Sequence, residues 1–245
     1  MKAAVYSGTS NLYSDMVTAA KSLLHNSSVD KIYFLIEDDA FPEYLPPQIE
    51  TINVSKQQFF PKSGANFKSS FTYMSLLRVC YTSLLPDIDK VLQLDVDTVV
   101  VDNIDELWDV DLNRKWFAAV REGFSSWKPY GPKYYNIGVA MFNLDRIRKD
   151  GITDKLIDFL NNTKCPYIDQ DAWNRFGIGK IVDLPVRFNE TMVTGYTEKP
   201  AIVHFAGHKN WTTSPMTPRR EYLKKYREMT WEEVLGEDPD SGSNI

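Results

Sequence analysis

The sequence predicts an α/β fold, with a single domain built on a mixed, mainly parallel sheet flanked by helices. Three observations lead there. Strand-like and helix-like patterns alternate through the first half of the chain, the arrangement that lays helices over a parallel sheet. The run Lys90-Val-Leu-Gln-Leu-Asp-Val-Asp-Thr-Val-Val-Val101 is apolar and rich in β-branched residues, as suits a strand buried on both faces. A length of 245 residues, with 43% apolar and 25% charged side chains, fits one soluble domain with a substantial core.

The elements follow in order. Lys2–Ser7 reads as the first strand, and Gly8–Tyr13 as a polar loop after it. Ser14 is placed to cap a helix running to about His25, with Met16, Ala19, Ala20, Leu23 and Leu24 on one stripe. Lys31–Ile36 is a second buried strand, closed by Glu37-Asp38-Asp39. Phe41–Pro47 is a short helix or turn region, and Thr51–Val54 a third strand. Pro61 and Gly64 make Ser55–Asn66 a loop. Apolar residues recur at helical spacing through Ser70–Leu85 until Pro86-Asp87 ends the pattern, and the strand bearing two carboxylates follows. Asn103–Trp108 reads as a short helix and Trp116–Arg121 as a strand. Glu122–Pro132 is a loop holding Phe124, Trp127 and Tyr130, aromatics that either form a platform for a sugar or pack the loop. Asn136–Asn143 is a further apolar strand, Thr153–Leu160 and Asp169–Phe176 are helices, and Lys180–Leu184 and Ala201–Phe205 are strands.

Composition breaks once, after Pro218. The catalytic domain is expected over 1–218, with 219–245 forming a basic helix, Arg219–Glu228, and then a polar, disordered tail. Tyr222, Leu223 and Tyr226 give that helix a short apolar face, suited to packing on the domain or to a weak contact with an anionic membrane surface through 219–227.

A net charge of −5 argues against a general nucleic-acid binder. Cys80 and Cys165 have no CxxC neighbours, so neither a zinc motif nor a disulfide framework is expected. No hydrophobic leader opens the chain and no stretch approaches the roughly 20 apolar residues that span a bilayer. A cytoplasmic location is therefore expected, and the Asn-x-Ser/Thr triplets at Asn26, Asn53, Asn161, Asn189 and Asn210 are read as accidents of composition.

The chemistry is expected at Asp95 and Asp97. In an extended chain, residues two apart point to the same side, so the two carboxylates should share a face while Leu94 and Val96 point away. Ligands of parallel sheets gather beyond the carboxyl ends of the strands. Like charges held there repel unless a cation lies between them, which points to a divalent metal site that also holds an anionic ligand. A second strand-end feature, Ala201-Ile-Val-His204-Phe-Ala-Gly207-His-Lys209, supplies an imidazole, a glycine for close backbone approach and a lysine for a phosphate. Read alone, His204 also fits a hydrogen-bonded, semi-buried imidazole.

Taken together these segments resemble glycosyltransferase family 8, the retaining group that includes glycogenin and bacterial lipopolysaccharide galactosyltransferases. The resemblance runs from about Ala4 to Trp211. It rests on Asn11-Leu-Tyr13 with Ala19–Leu24, on Arg78 followed by Leu85–Asp97, on Tyr134-Tyr-Asn-Ile-Gly-Val-Ala-Met-Phe-Asn-Leu144, on Asp169-Gln-Asp171, and on His204-Phe-x-Gly-x-Lys209. It implies a GT-A (Rossmann-like) fold and transfer of a hexose, with retention, from a UDP-sugar to a hydroxyl of a glycan, lipid-linked or protein acceptor. A metal-dependent sugar-nucleotide hydrolase and a non-catalytic UDP-sugar-binding module are the alternatives.

By the same resemblance, Asp95, Asp97 and His204 would ligate Mn²⁺, with Mg²⁺ as a second possibility. Two carboxylates and one imidazole suit manganese better, since magnesium prefers oxygen ligands and waters. Thr9, Asn11, Tyr13, Asp95, Val96, Gly207 and Lys209 would hold the nucleotide, and Arg78, Asn136, Asp169 and Gln170 the donor sugar and the reaction. Outside the resemblance, Tyr13 also suits loop packing, Arg78 a helix-surface charge, and Asp169 a helix N-cap. The sequence departs from the family pattern in three places. Lys209-Asn-Trp211 stands for Lys-Pro-Trp with one residue fewer before the lysine, Glu122 stands near a position where relatives have an aspartate facing sugar, and Ser7–Asn11 lacks the acidic residue that often meets uracil.

Overall fold

The computed structural model describes residues 1–123, 133–207 and 211–236. Its strands are β1 Ala3–Ser7, β2 Lys31–Ile36, β3 Ile49–Asn53, β4 Lys90–Leu94, β5 Thr98–Val100, β6 Phe117–Arg121, β7 Tyr135–Asn143, β8 Ile181–Leu184 and β9 Ile202–His204. Seven of them form one sheet in the order β3-β2-β1-β4-β7-β6-β8. Only β7 runs against its neighbours; β1, β2, β3 and β4 pair in parallel, as do β6 and β8. The expected mixed, mainly parallel sheet is therefore present. Strand order reverses between β1 and β4, and the crevice beyond their carboxyl ends is where such sheets bind ligands.

Period-two alternation divides the core between the sheet's two faces. Ala3, Val5, Val91, Phe117 and Phe142 point to one, where α2 Tyr81–Leu84, α3 Leu144–Asp150, α4 Thr153–Asn162 and α5 Ile168–Phe176 pack. Ala4, Tyr6, Phe34, Leu92 and Leu94 point to the other, beneath α1 Tyr13–Asn26 and its residues Met16 and Leu23. Cys80 and Cys165 are free and buried.

Several expectations are corrected. The carboxylates do not ride on a strand. β4 stops at Leu94, and Asp95-Val96-Asp97 forms a turn closed by hydrogen bonds from the Thr98 amide (3.2 Å) and hydroxyl (2.7 Å) to the Asp95 carbonyl. The chain then leaves the main sheet as β5, which pairs only with β9. Ser14 does not cap α1; the helix starts one residue earlier, because a 3-10 turn at Ser10–Leu12 already delivers the chain in helical geometry. The segment read as one helix over Ser70–Leu85 is a 3-10 stretch, Tyr73–Cys80, followed by the single turn of α2. Helix α3 was not foreseen. It begins directly where β7 ends, with Asn143 Oδ1 accepting from the Arg146 amide and Gly151 closing it in the left-handed region at φ 60°.

The C-terminal segment folds back as α6 Arg220–Glu228 and α7 Trp231–Leu235. Leu223 and Tyr226 are buried with Val99, Val203 and Phe205 over the β5–β9 ladder. Asn26 Nδ2 donates to the Tyr226 hydroxyl (2.7 Å), and Arg227 pairs with Asp15 at 2.6 Å. The side chains that would enter a bilayer thus face the protein, so the contact expected of 219–227 is with this domain. The polar tail beyond Gly236 lies outside the described residues. Among the described residues no helix is long and apolar enough to cross a membrane.

Candidate active site

Asp95 and Asp97 occupy the turn after β4, and His204 is the last residue of β9. The β5–β9 ladder brings these distant segments together. Thr98 lies opposite His204, and the Phe205 amide donates to the Asp97 carbonyl at 2.9 Å. His204 Nε2 is then 3.2 Å from Asp97 Oδ1 and 3.6 Å from Asp95 Oδ2. One ligand atom from each of the three side chains lies within 4.8 Å of the others, a spacing one cation can bridge.

A β-bulge makes room for this cluster. The register between β6 and β7 shifts at Ala119/Val120, and the irregular stretch of β7 holds Gly138. Its carbonyl accepts from the Asp95 amide at 2.7 Å. A Cβ at Gly138 would lie 2.3 Å from His204 Cε1 and 2.6 Å from Asp95 Oδ2, so only glycine lets the strand pass behind both. Bulges beside active sites re-aim side chains in this way.

Arg78 ties the cluster to a third carboxylate. It is buried, donates from Nη2 to Asp95 Oδ1, and places Nη1 3.5 Å from Asp169 Oδ2, an electrostatic contact short of a hydrogen bond. The reading of Arg78 as a surface charge is thereby corrected. Gln93 Nε2 also donates to Asp95 Oδ1, at 3.1 Å. Asp169 sits in the first turn of α5, behind Ile168 at φ 37°, a strained angle for a β-branched residue. It does not cap that helix; Tyr167 holds the cap position without a side-chain bond. Among the described residues, Asp169 Oδ2 and Arg78 Nε are buried without a hydrogen-bond partner, polar atoms that a bound ligand can match.

The charges respond to this burial. Asp169, 1% exposed, is pushed up to about 7 by loss of solvent, with Arg78 opposing the rise. Burial also lifts Asp95 against the pull of Arg78 and His204. At Asp97 burial acts upward, but the imidazole beside it and Arg78 outweigh that and hold the carboxyl below its ordinary range. His204 loses solvent, which disfavours its charge, yet Asp97 and Asp95 overcome this and raise its pKa. The donor set fits a divalent ion, with two hard carboxylates, one imidazole and a glycine-cleared wall behind them.

The other expected residues fall around this centre. Asn136 and Gln170 both donate to Glu122 Oε1, at 3.3 and 3.0 Å, and the Oδ1 of Asn189, a residue foreseen only as a sequon, faces His204 Nδ1 at 2.8 Å. Val96 lies between the aspartates, partly exposed. Thr9 and Asn11 follow β1 at the strand-order reversal and bond to each other, hydroxyl to amide oxygen, at 2.7 Å. Tyr13 is buried. Its ring lies on Phe41, and its hydroxyl donates to Asp38 Oδ2 at 2.7 Å while accepting from the Glu37 amide at 3.0 Å. Glu37 in turn accepts from the Ser10 amide at 3.0 Å and the Tyr73 hydroxyl at 3.2 Å, so an acidic residue from the end of β2 anchors the loop that carries none of its own. Gly207 is exposed at φ 81°. Lys209 and the aromatics Phe124, Trp127 and Tyr130 lie outside the described residues.

Comparison with known proteins places this arrangement. The chain is 28% identical to glycosyltransferase GlyA of Streptococcus pneumoniae over 95% of its length and 36% of that protein. It is 31% identical to a putative glycosyltransferase of Haemophilus influenzae over 51% of this chain and 42% of that one. It is 28% identical to general stress protein A of Bacillus subtilis over 69% of each. The chain therefore spans only about two fifths of the first two relatives. Among solved structures it superimposes on galactosyltransferase LgtC in complex with donor and acceptor sugar analogues at a TM-score of 0.73, with 22% identity, covering 96% of this chain and 99% of that one. It also superimposes on GlyE of Streptococcus pneumoniae at 0.71, with 22% identity, over 96% of this chain and 62% of that one. Its sheet is therefore the GT-A-like sheet of those proteins. The sequence profile of glycosyl transferase family 8 matches residues 4–214, and the chain belongs to that family and carries its glycosyltransferase domain.

Proposed function

We propose that the chain transfers a hexose, with retention at the anomeric carbon, from a UDP-sugar to a hydroxyl of a glycan, lipid-linked or protein acceptor. The observation that carries this reading is the meeting of Asp95, Asp97 and His204 beyond β4 at the strand-order reversal, with Arg78, Asp169 and Gln170 adjoining them. Those three ligands would hold Mn²⁺, which when bound supplies Lewis-acid stabilisation of charge on a departing diphosphate. Thr9, Asn11 and Tyr13, on the loop and helix start after β1, would frame the nucleotide, with Val96, Gly207 and Lys209 bordering the diphosphate. The structure described as LgtC with donor and acceptor sugar analogues supports a sugar acceptor here. Two free, buried thiols support a cytoplasmic site of action.

The chain's own groups favour attack on the same face as departure. Gln170 bears an uncharged amide, a poor nucleophile, and the Asp169 carboxyl faces the Arg78 guanidinium at 3.5 Å, an arrangement suited to orienting a donor sugar. Arg78, Asn136 and Gln170 would orient the donor sugar. The leaving phosphate would take the acceptor's proton as the new glycosidic bond forms. A UDP-release assay over a panel of UDP-sugars with Mn²⁺ tests this. Transfer predicts release that rises sharply when acceptor is added. Equal release to water alone would make the protein a hydrolase, and UDP binding with no release from any donor would make it a binding module.

A further inference from the structure

We propose that Asn189 is a positioning residue that commits His204 to present Nε2 to a cation, and that it does so through a buried amide relay reaching Gln170. The inference deepens the metal site proposed above and rests on that reading. Asn189 is 0% exposed and sits just after the 3-10 turn Val186–Phe188.

Amide oxygen and nitrogen are told apart by their partners, and here two backbone amides and one carboxylate decide every orientation. The Gly138 N–H can only donate, and it meets Asn136 Oδ1 at 3.0 Å. Asn136 therefore turns its Nδ2 to Glu122 Oε1, 3.3 Å away. The Asn189 group facing Asn136 Oδ1, at 2.9 Å, must then be its NH₂. That leaves Asn189 Oδ1 facing His204 Nδ1 at 2.8 Å. An amide oxygen can only accept, so Nδ1 carries hydrogen and Nε2 is the nitrogen left for the carboxylate side. The far end is fixed in the same way. The Ile137 N–H donates to Gln170 Oε1 at 3.2 Å, so Gln170 Nε2 donates to the same Glu122 oxygen at 3.0 Å.

Metal-bound histidines commonly donate their second ring N–H to a carbonyl or carboxylate, and loss of such a partner costs about 10- to 100-fold in metal affinity. Here the partner is a side-chain amide whose orientation is inherited from the bulge at Gly138. The same bulge thus clears space for the cluster and sets the hydrogen on its imidazole. Backbone bonds hold the frame, since the His204 amide donates to the Glu190 carbonyl at 2.9 Å and the Glu190 amide to Ile202 at 3.0 Å.

The test is ¹⁵N NMR of the full chain labelled at histidine, with and without diamagnetic Mg²⁺, together with Mn²⁺ titrations of wild type, Asn189→Leu and Asn189→Asp. At a pH where the metal-free imidazole is neutral, His204 should carry its hydrogen on Nδ1 and not on Nε2 in both NMR samples. Asn189→Leu should bind Mn²⁺ about 10- to 100-fold more weakly than wild type, and Asn189→Asp, which keeps an acceptor toward Nδ1, should bind more tightly than the leucine variant. An unprotonated Nδ1 in the wild type overturns the proposal, as does wild-type affinity in Asn189→Leu or an equal loss in both variants. If the variants do not fold, the wild-type spectrum alone decides. A His204→Ala protein that binds Mn²⁺ as well as wild type would instead overturn the metal site itself, while the metal-free spectrum still judges Asn189.

Discussion

Asp97 is the residue whose loss should be most specific, because its side chain meets the imidazole directly and its backbone carbonyl supplies the ladder bond to Phe205, which any side chain leaves in place. Asp97→Ala should abolish metal-dependent UDP-sugar turnover while far-UV circular dichroism stays native. His204→Ala should weaken Mn²⁺ binding by about tenfold or more, about 1.4 kcal/mol, in a calorimetric titration. Asp169 makes a separate prediction through pH. Burial raises its folded value from 3.8 to about 7, so between those values the folded state holds a proton that the unfolded chain releases. Stability is then greatest in acid and falls as pH rises toward 7, by on the order of 4 kcal/mol for this group. Asp169→Asn should flatten that fall in urea titrations run without metal, and an unchanged slope would remove the buried-carboxyl account. Asp95, Asp97 and His204 were legible in the sequence because each follows an apolar strand pattern. Asn189 and Gly138 were not legible as partners of His204, since one bears an ordinary buried amide, the other no side chain, and both act by where the fold puts them.

At the scale of elements, the bulge in β7 and the β5–β9 ladder do the positioning. Gly138→Ala should push His204 and Asp95 apart, since a methyl has 2.3 and 2.6 Å where van der Waals contact needs well over 3 Å. Overpacking of this kind costs roughly 1–3 kcal/mol. Mn²⁺ affinity and turnover should each drop by about tenfold or more with a modest loss in Tm; full activity in the alanine variant would mean that the wall behind the metal ligands yields freely. The strands were readable because alternating or continuous apolar patterns leave few alternatives. Helix starts were less so. Ser14 carries the right side chain for a cap, but the 3-10 turn before it already orders the chain. For α3 the signal existed, with Asn143 at its start and Gly151 at its end, hidden by a strand that runs directly into it. The turn at Asp95–Asp97 was misread as strand because β-branched residues on both sides continue the apolar pattern across it.

Over the whole molecule, one seven-stranded sheet brings together groups from the ends of β4 and β9, the 3-10 stretch before α2, the middle of β7 and the start of α5. The fold class was legible because strand and helix patterns alternate early. The separation of β5 and β9 into their own small sheet was not, because apolar strands carry no mark of which sheet they join. That small sheet, roofed by α6 through Leu223 and Tyr226, brings His204 to the aspartates. The central claim is that these three side chains hold one cation at a diphosphate. Crystals of the protein grown with Mn²⁺ and UDP, measured at the manganese absorption edge, test it directly. The account predicts a single anomalous peak within about 2.0–2.4 Å of Asp95, Asp97 and His204, contiguous with density for the UDP phosphates. Manganese bound elsewhere, or UDP seated away from this trio, would contradict it.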